Sequence, residues 1–293
     1  MHKRIGYLLG SVFLGLALVL AGCGAKEDVN RQDAASSATP SGSSVPTAPG
    51  DHTASSGQEP QEKVELTISA AASLTDAMQE IQANFEQANP NISLNFNFGA
   101  SGALQQQIEQ GAPVDIFVSA SAKNMKALVD ENLIASTDQK NLLQNSLVVI
   151  VPADGTNIVT SENDLTREGI KTVAIGIPES VPAGTYAKEA LTHAKLWDQL
   201  GEKFVQGKDV RQVLQYVGTG NADAGLVYKT DAMTSKQVKI AFEVDKNSYT
   251  PANYPLGIID GTKHRTEAEQ FYAYLQTSEV LDIFAKYGFS VPE

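Results

Sequence analysis

The chain has one cysteine, Cys23, in 293 residues. No disulfide can form within it, so a folded part must rest on its apolar core. Histidine is nearly as scarce, with four in all, His2, His52, His193 and His264. No two of them have the spacing of a zinc site. A serine hydrolase would have to draw its base from this short supply, and none is well placed. His2 and His52 precede the first strand, His193 falls inside a helical pattern, and His264 sits in the run Lys263-His264-Arg265. The nucleophile elbow is also missing, because Gly99-Ala100-Ser101-Gly102 is followed by Ala103 where a glycine belongs. Gly218-Thr219-Gly220 meets Asp223 where a dinucleotide fingerprint needs glycine, and no Gly-Lys-Ser/Thr phosphate loop occurs. A lipid-anchored serine hydrolase is therefore only the remote enzymatic alternative. Positive charge is the third shortage, with 22 Lys and Arg against 34 Asp and Glu, a formal net charge of −12. That balance argues against nucleic acid and gives no long-range pull on anions. An anion site here has to work through local dipoles.

What the chain does have begins with a targeting segment. His2, Lys3 and Arg4 precede a nearly unbroken apolar run from Ile5 to Leu20, closed by Leu20-Ala21-Gly22-Cys23. This ending resembles a bacterial lipobox, in which the cysteine is lipidated and becomes the new N-terminus. Residues 1–22 then form a signal peptide, and Cys23 anchors the protein to the extracytoplasmic face of the cell membrane. Residues 23–63 hold little besides small, polar and charged residues, with Val29 and Val45 the only large apolar ones before about Glu62. Such a stretch cannot bury enough surface to fold and reads as a tether.

The rest, 42% hydrophobic and 19% charged over the whole chain, suits one large domain or two lobes. Its organising stretch is Leu66 to Phe85. Leu66, Ile68 and Ala70 alternate as in a strand, and small residues follow. Leu74, Ala77, Met78, Ile81 and Phe85 then recur at helical spacing. A strand running into a helix leaves free N–H groups beside the hydroxyls of Ser73 and Thr75, a seat for an anion. From this junction alone a plain helix cap is the favoured reading of the serine. The device recurs, however. Ile92, Leu94, Phe96 and Phe98 alternate and lead through Gly99-Ala100-Ser101-Gly102 into a helix. The strand Thr172 to Ile177 leads through Val181-Pro182-Ala183-Gly184 into another. Asp209-Val210-Arg211-Gln212 starts a further helix and resembles a capping box. Strands also run over Val114–Val118, Leu147–Val151, Ala224–Tyr228, Val238–Val244 and Tyr254–Asp260, and helices rich in Phe and Tyr close the chain. Alternating strands and helices predict an α/β fold with mainly parallel sheets flanked by helices, and ligands at the carboxyl ends of the strands.

Several motifs resemble those of the molybdate-binding proteins of bacterial ABC importers. They are Ala-Ala-Ala-Ser-Leu-Thr-Asp-Ala-Met at 70–78, Gln-Ile-Glu-Gln-Gly-Ala-Pro-Val-Asp at 107–115, and Gln-Asn-Ser-Leu-Val-Val at 144–149. Val-Pro-Ala-Gly-Thr-Tyr-Ala-Lys-Glu-Ala-Leu at 181–191 and Lys-Tyr-Gly-Phe at 286–289 complete the set. The resemblance runs from about residue 64 to the end. It implies a two-lobed, Venus-flytrap fold of the type II periplasmic-binding-protein kind, with 64–145 and 255–293 in lobe 1 and 146–254 in lobe 2. It implies no enzymatic activity, no cofactor and no metal cation site, and a ligand, molybdate or tungstate, held between the lobes. The expected contacts are Ser73 through its hydroxyl and N–H, Ala183 and Val210 through backbone N–H groups, and Tyr228 through its phenol. The second lobe 1 contact falls on Ala100 by direct count, while the available hydroxyl is on Ser101; both are retained. The expected partners are the permease of the importer and, through the lipid, the membrane, with the protein a monomer. Another oxyanion such as sulfate is the alternative ligand.

Overall fold

The computed structural model describes residues 63–156 and 158–292; the signal segment, Cys23 and nearly all of the tether lie outside the described residues. In β1 (Val64–Ala71), Leu66, Ile68 and Ala70 are fully buried, as their alternation predicts. A 3-10 turn over Ala72–Leu74 then hands the chain to α1 (Thr75–Ala88). Ala77, Met78, Ile81 and Phe85 form the buried stripe of α1. Next come β2 (Ile92–Gly99), α2 (Ser101–Glu109), β3 (Ile116–Val118), α3 (Ala122–Asp130) and β4 (Gln139–Asn145). The second lobe opens with β5 (Leu147–Pro152) and β6 (Val173–Gly176), followed by α4 (Pro182–His193) and α5 (Trp197–Leu200). It continues through β7 (Phe204–Gly207), α6 (Val210–Gly218), β8 (Ala224–Tyr228), α7 (Lys229–Met233) and β9 (Val238–Glu243). The chain then returns through β10 (Ala252–Ile258) and ends in α8 (Arg265–Tyr274) and α9 (Ser278–Lys286).

Two five-stranded sheets result, ordered β2-β1-β3-β10-β4 and β7-β6-β8-β5-β9. Within the first, β1 pairs parallel with β2 and β3, while β10 pairs antiparallel with both β3 and β4. Within the second, β6 pairs parallel with β7 and β8, while β5 pairs antiparallel with β8 and β9. Each sheet thus has a single strand running against the rest, and each reversed strand directly follows a crossing between the sheets. The expected two-lobed, mainly parallel α/β architecture is present, with a reversed strand per lobe that strand–helix alternation does not reveal. Two strands went unread in the sequence. In β4 only Leu142 and Leu143 are buried, so no alternation marks it, and β7 is a four-residue strand at the sheet edge.

The register brings the carboxyl ends of the parallel strands together. Ala71 pairs with Gly99 and Ala70 with Val118 in the first sheet, and Gly176 pairs with Gly207 in the second. Each helix that follows therefore starts at the same rim of its sheet. The start of α4 lies hard against β6, where a Cβ on Gly184 would run into the carbonyl oxygen of Gly176. Only glycine allows that approach. Among the described residues no helix is long and apolar enough to cross a membrane. Gly184→Ala should push α4 off the sheet at a cost of about 1–3 kcal/mol, the usual range for overpacking. Urea unfolding measures it, and an unchanged midpoint would show that the contact yields freely.

Candidate functional site

The two rims face one another across a small cavity of about 10 Å³. Ser73, Ala100, Ser101, Ala183, Val210 and Tyr228 all line it, with small or apolar neighbours between them and no charged side chain. The structure thus brings together the six residues expected to contact the ligand. Ser73 is in the turn before α1, Ala100 is the N-cap of α2 and Ser101 its first residue. Ala183 follows Pro182 at the start of α4, and Val210 is the first residue of α6. N–H groups in a first helical turn have no partner within the helix, so these starts aim donors at the cavity. Proline suits the first position of α4 because it has no N–H to leave unpaired.

The hydroxyls are oriented by their neighbours. Ser73 Oγ lies 2.8 Å from Tyr254 Oη and caps no helix, so the plain capping role is not the one it plays. Thr75 spends its hydroxyl locally, donating to Ala72 O at 2.7 Å. Ser101 Oγ accepts from the Ala120 N–H at 2.9 Å, which leaves its proton to give. Tyr228, at the end of β8, is 1% exposed, and its Oη makes no hydrogen bond. Burial pushes its phenol well above the ordinary value, helped by the neighbouring Tyr254 and Tyr186, so it stays a donor. A buried phenol without a partner is costly, and it leaves Tyr228 with a donor to spare at the cavity wall. Asp209, the nearest carboxylate to Val210 in sequence, accepts from the Gln212 N–H at 2.8 Å and caps α6. The expected reciprocal half of a capping box is displaced by one residue, since the Gln212 side chain accepts from Lys208 N–H.

Several contacts join the lobes around the cavity, and three stand out. The Gly102 N–H donates to Ser180 O at 3.0 Å, and Tyr186 Oη donates to Ala120 O at 3.2 Å. The third is ionic: Arg211 on α6 pairs with Asp76 on α1 of the other lobe, and its Nε lies 2.8 Å from Asp231 Oδ1. The Asp231 contact is close enough for an ion pair but is not aligned as a hydrogen bond. Burial pushes the Asp231 carboxyl up to about 7, Arg211 pulls against it, and Asp76 adds to the rise. Sequence reasoning missed this trio and missed Tyr254. Their only signal is position, since Asp76, Arg211 and Asp231 each follow a lining residue by one to three places. His193 is exposed on α4 and His264 stands at the start of α8, both away from the cavity lining. Among the described residues no cluster of His, Cys, Asp and Glu could hold a metal ion.

Residues 66–290 match the family described as bacterial extracellular solute-binding proteins. A protein of Bacillus subtilis (strain 168) that carries the name of an ABC transporter substrate-binding lipoprotein, YvgL, is 52% identical over 235 residues. That alignment covers 80% of this chain and 90% of the relative. The molybdate-binding protein ModA of Haemophilus influenzae is 39% identical over 230 residues, covering 77% of this chain and 89% of that protein. Among solved structures, the periplasmic molybdate-binding protein of Azotobacter vinelandii aligns with a TM-score of 0.72 at 24% identity, covering 78% of this chain and all of that one. That last likeness is one of fold.

Asp231 generates a pH prediction. Its carboxyl is raised in the folded state, so its stabilising effect is complete below the ordinary value of 3.8 and is lost as pH rises through about 7. Asp231→Asn cannot ionise and mimics the protonated form. Urea midpoints of the two proteins should converge near pH 4 and separate by pH 8, with the variant the more stable. A native chain that is the more stable at pH 8 would mean that Arg211 outweighs burial.

Proposed function

The chain belongs to the bacterial extracellular solute-binding protein family, and we propose that the solute it captures is molybdate, with tungstate as an equivalent ligand. It is the extracytoplasmic substrate-binding component of an ABC importer, a non-catalytic role. The observation that carries the ligand reading is the cavity itself. Four helix starts, two hydroxyls and an unpartnered phenol surround it, and no carboxylate or cation lines it. In this reading Ser73, Ser101 and Tyr228 donate through side chains, while Ala100, Ala183 and Val210 donate through backbone N–H groups. The names of the relatives point to the same oxyanion. Release is to the membrane permease of the importer, with the protein acting as a monomer. Cys23 is the lipidated N-terminus and residues 24–62 are the tether, as the lipobox-like tetrapeptide suggests.

The donor set also sets the selectivity. Near neutral pH molybdate, tungstate and sulfate carry no proton, so every oxygen can accept. Phosphate keeps a proton, which needs an acceptor or is buried unpaired at a cost of about 1–3 kcal/mol. Sulfate has to be rejected by size, because its oxygens lie too close to its centre for donors fixed on two lobes to reach hydrogen-bond distance together.

Calorimetry at neutral pH should find molybdate and tungstate binding alike, sulfate much more weakly and phosphate not at all. Phosphate displacing molybdate at comparable concentration would end the donor-only reading. Ser73→Ala should weaken molybdate binding by roughly 10- to 150-fold, the loss of one hydrogen bond to a charged group. Closure has its own probe at Gly102, where an added Cβ would come within 2.7 Å of Ser180 O of the other lobe. In Gly102→Ala, solution scattering should show less contraction on adding molybdate than in the native chain, with weaker binding. Equal contraction and equal affinity would remove Ser180 from the closing contact.

A further inference from the structure

Ser73 is the lining side chain whose hydroxyl is held by another buried side chain, and the partner's own hydrogen bonds decide which way its proton points. We propose that Asn145 and Tyr254 are positioning residues that force Ser73 to act only as a donor, so that the cavity rejects anions carrying a proton. This rests on the oxyanion reading above and deepens it.

The chain of hydrogen bonds starts at the crossing between the lobes. Asn145 is the last residue of β4, and the next residue, Ser146, donates its N–H to Asn145 Oδ1 at 2.9 Å. The amide oxygen is thereby placed, and Nδ2 faces Thr230 Oγ1 at 2.9 Å and Tyr254 Oη at 3.3 Å. An amide nitrogen only donates, so Tyr254 Oη accepts from it. Tyr254 is fully buried, and burial with the nearby Asp231 carboxyl holds its phenol well above the ordinary value, so it keeps its one proton. Among the described residues its hydrogen-bonded partners are Asn145 Nδ2, which can only donate, and Ser73 Oγ at 2.8 Å, which can accept. Tyr254 therefore donates to Ser73, and the Ser73 proton is left for the cavity. An unprotonated dianion can accept it, whereas a protonated anion would present a donor to a donor. The ring is held for this task. Tyr254 packs edge-on against Tyr228 at 5.7 Å and Phe289 at 5.3 Å, and a bulge in the pairing of β10 with β4 falls between Tyr254 and Pro255. Thr230 belongs to the other lobe, so the amide that sets the direction also ties the two lobes together.

The test is a double-mutant cycle read by calorimetry, with molybdate and inorganic phosphate as probes. Tyr254→Phe keeps the ring contacts and should weaken molybdate binding by about 2- to 10-fold in the native background, the worth of one ordinary hydrogen bond. In a Ser73→Ala background the same change should have almost no effect, because Tyr254 acts through Ser73. Asn145→Asp reverses the relay. The carboxylate still accepts from Ser146 N–H, and the Thr230 hydroxyl can turn to donate, but Tyr254 now donates to Asn145's replacement and Ser73 to Tyr254. Ser73 then shows the cavity a lone pair. Molybdate binding should fall by roughly 10-fold or more. The ratio of phosphate to molybdate affinity should rise beyond the part that an added negative charge causes by itself through the monoanionic fraction of phosphate. Adding Tyr254→Phe should cancel that rise in the ratio. Additive losses for Tyr254→Phe and Ser73→Ala, or an unchanged ratio in Asn145→Asp, would overturn the relay while leaving molybdate binding by the native chain intact. If Tyr254→Phe fails to fold, Asn145→Asp alone decides. A native chain that binds no molybdate would overturn the oxyanion reading, and the relay with it.

Discussion

The N–H groups at the start of a helix have no partner inside that helix, and water is the usual remedy. Here the helix starts are turned inward, onto one cavity between two sheets, where Ala100, Ser101, Ala183 and Val210 are all buried. The rest of the site follows from that constraint. Parallel strands in register put the helix starts on one rim of each sheet. Small residues such as Gly184 let the backbones come close enough to aim. A net charge of −12 is no obstacle, because dipoles at contact distance do not depend on the charge of the whole surface. The nearby cation, Arg211, is occupied with two carboxylates, so it adds no counter-charge at the cavity lining.

Much of this was legible in the residues themselves. Alternation in Leu66, Ile68 and Ala70 followed by helical spacing in Ala77, Met78, Ile81 and Phe85 located the first junction, the same pattern located those that open α2 and α4, and the cap-like run from Asp209 to Gln212 located the start of α6. The six lining residues came from those junctions together with the family resemblance. Tyr228 came from resemblance alone, since a buried aromatic at a strand end has the same sequence signature as ordinary core. The unread part consists of pairings between distant segments. Tyr254 reaches Ser73 across 181 positions, and Arg211 reaches Asp76 across 135. Nothing local in either partner announces the other. β4 escaped for a different reason, as both of its faces are largely polar and only Leu142 and Leu143 are buried.

The ionic trio and the lining residues share their backbone. Asp76 lies one helical turn after Ser73, Arg211 is next to Val210, and Asp231 lies one turn after Tyr228. A shift of any of these helix starts moves a residue of the cavity wall and a charge of the ionic trio together. In the proposed reading, capture and closure would be coupled through rigid elements, the way a small displacement at a site becomes a movement of whole lobes.

The position of β10 has a consequence for how the chain is made. It lies inside the first sheet, between β3 and β4, and β4 pairs with no other strand of that sheet. All the strands of the second sheet, by contrast, come from one continuous stretch between Leu147 and Glu243. A chain emerging from its N-terminus can complete the second lobe while the first is still open along one edge, with β4 unpaired. The first lobe closes only when Ala252–Ile258 arrives and fits between strands made long before it. Tyr254 arrives on that same strand, so the last piece of the sheet is also the piece that orients Ser73. Closing the first sheet and completing the site thus depend on the same strand, through pairings distant in sequence.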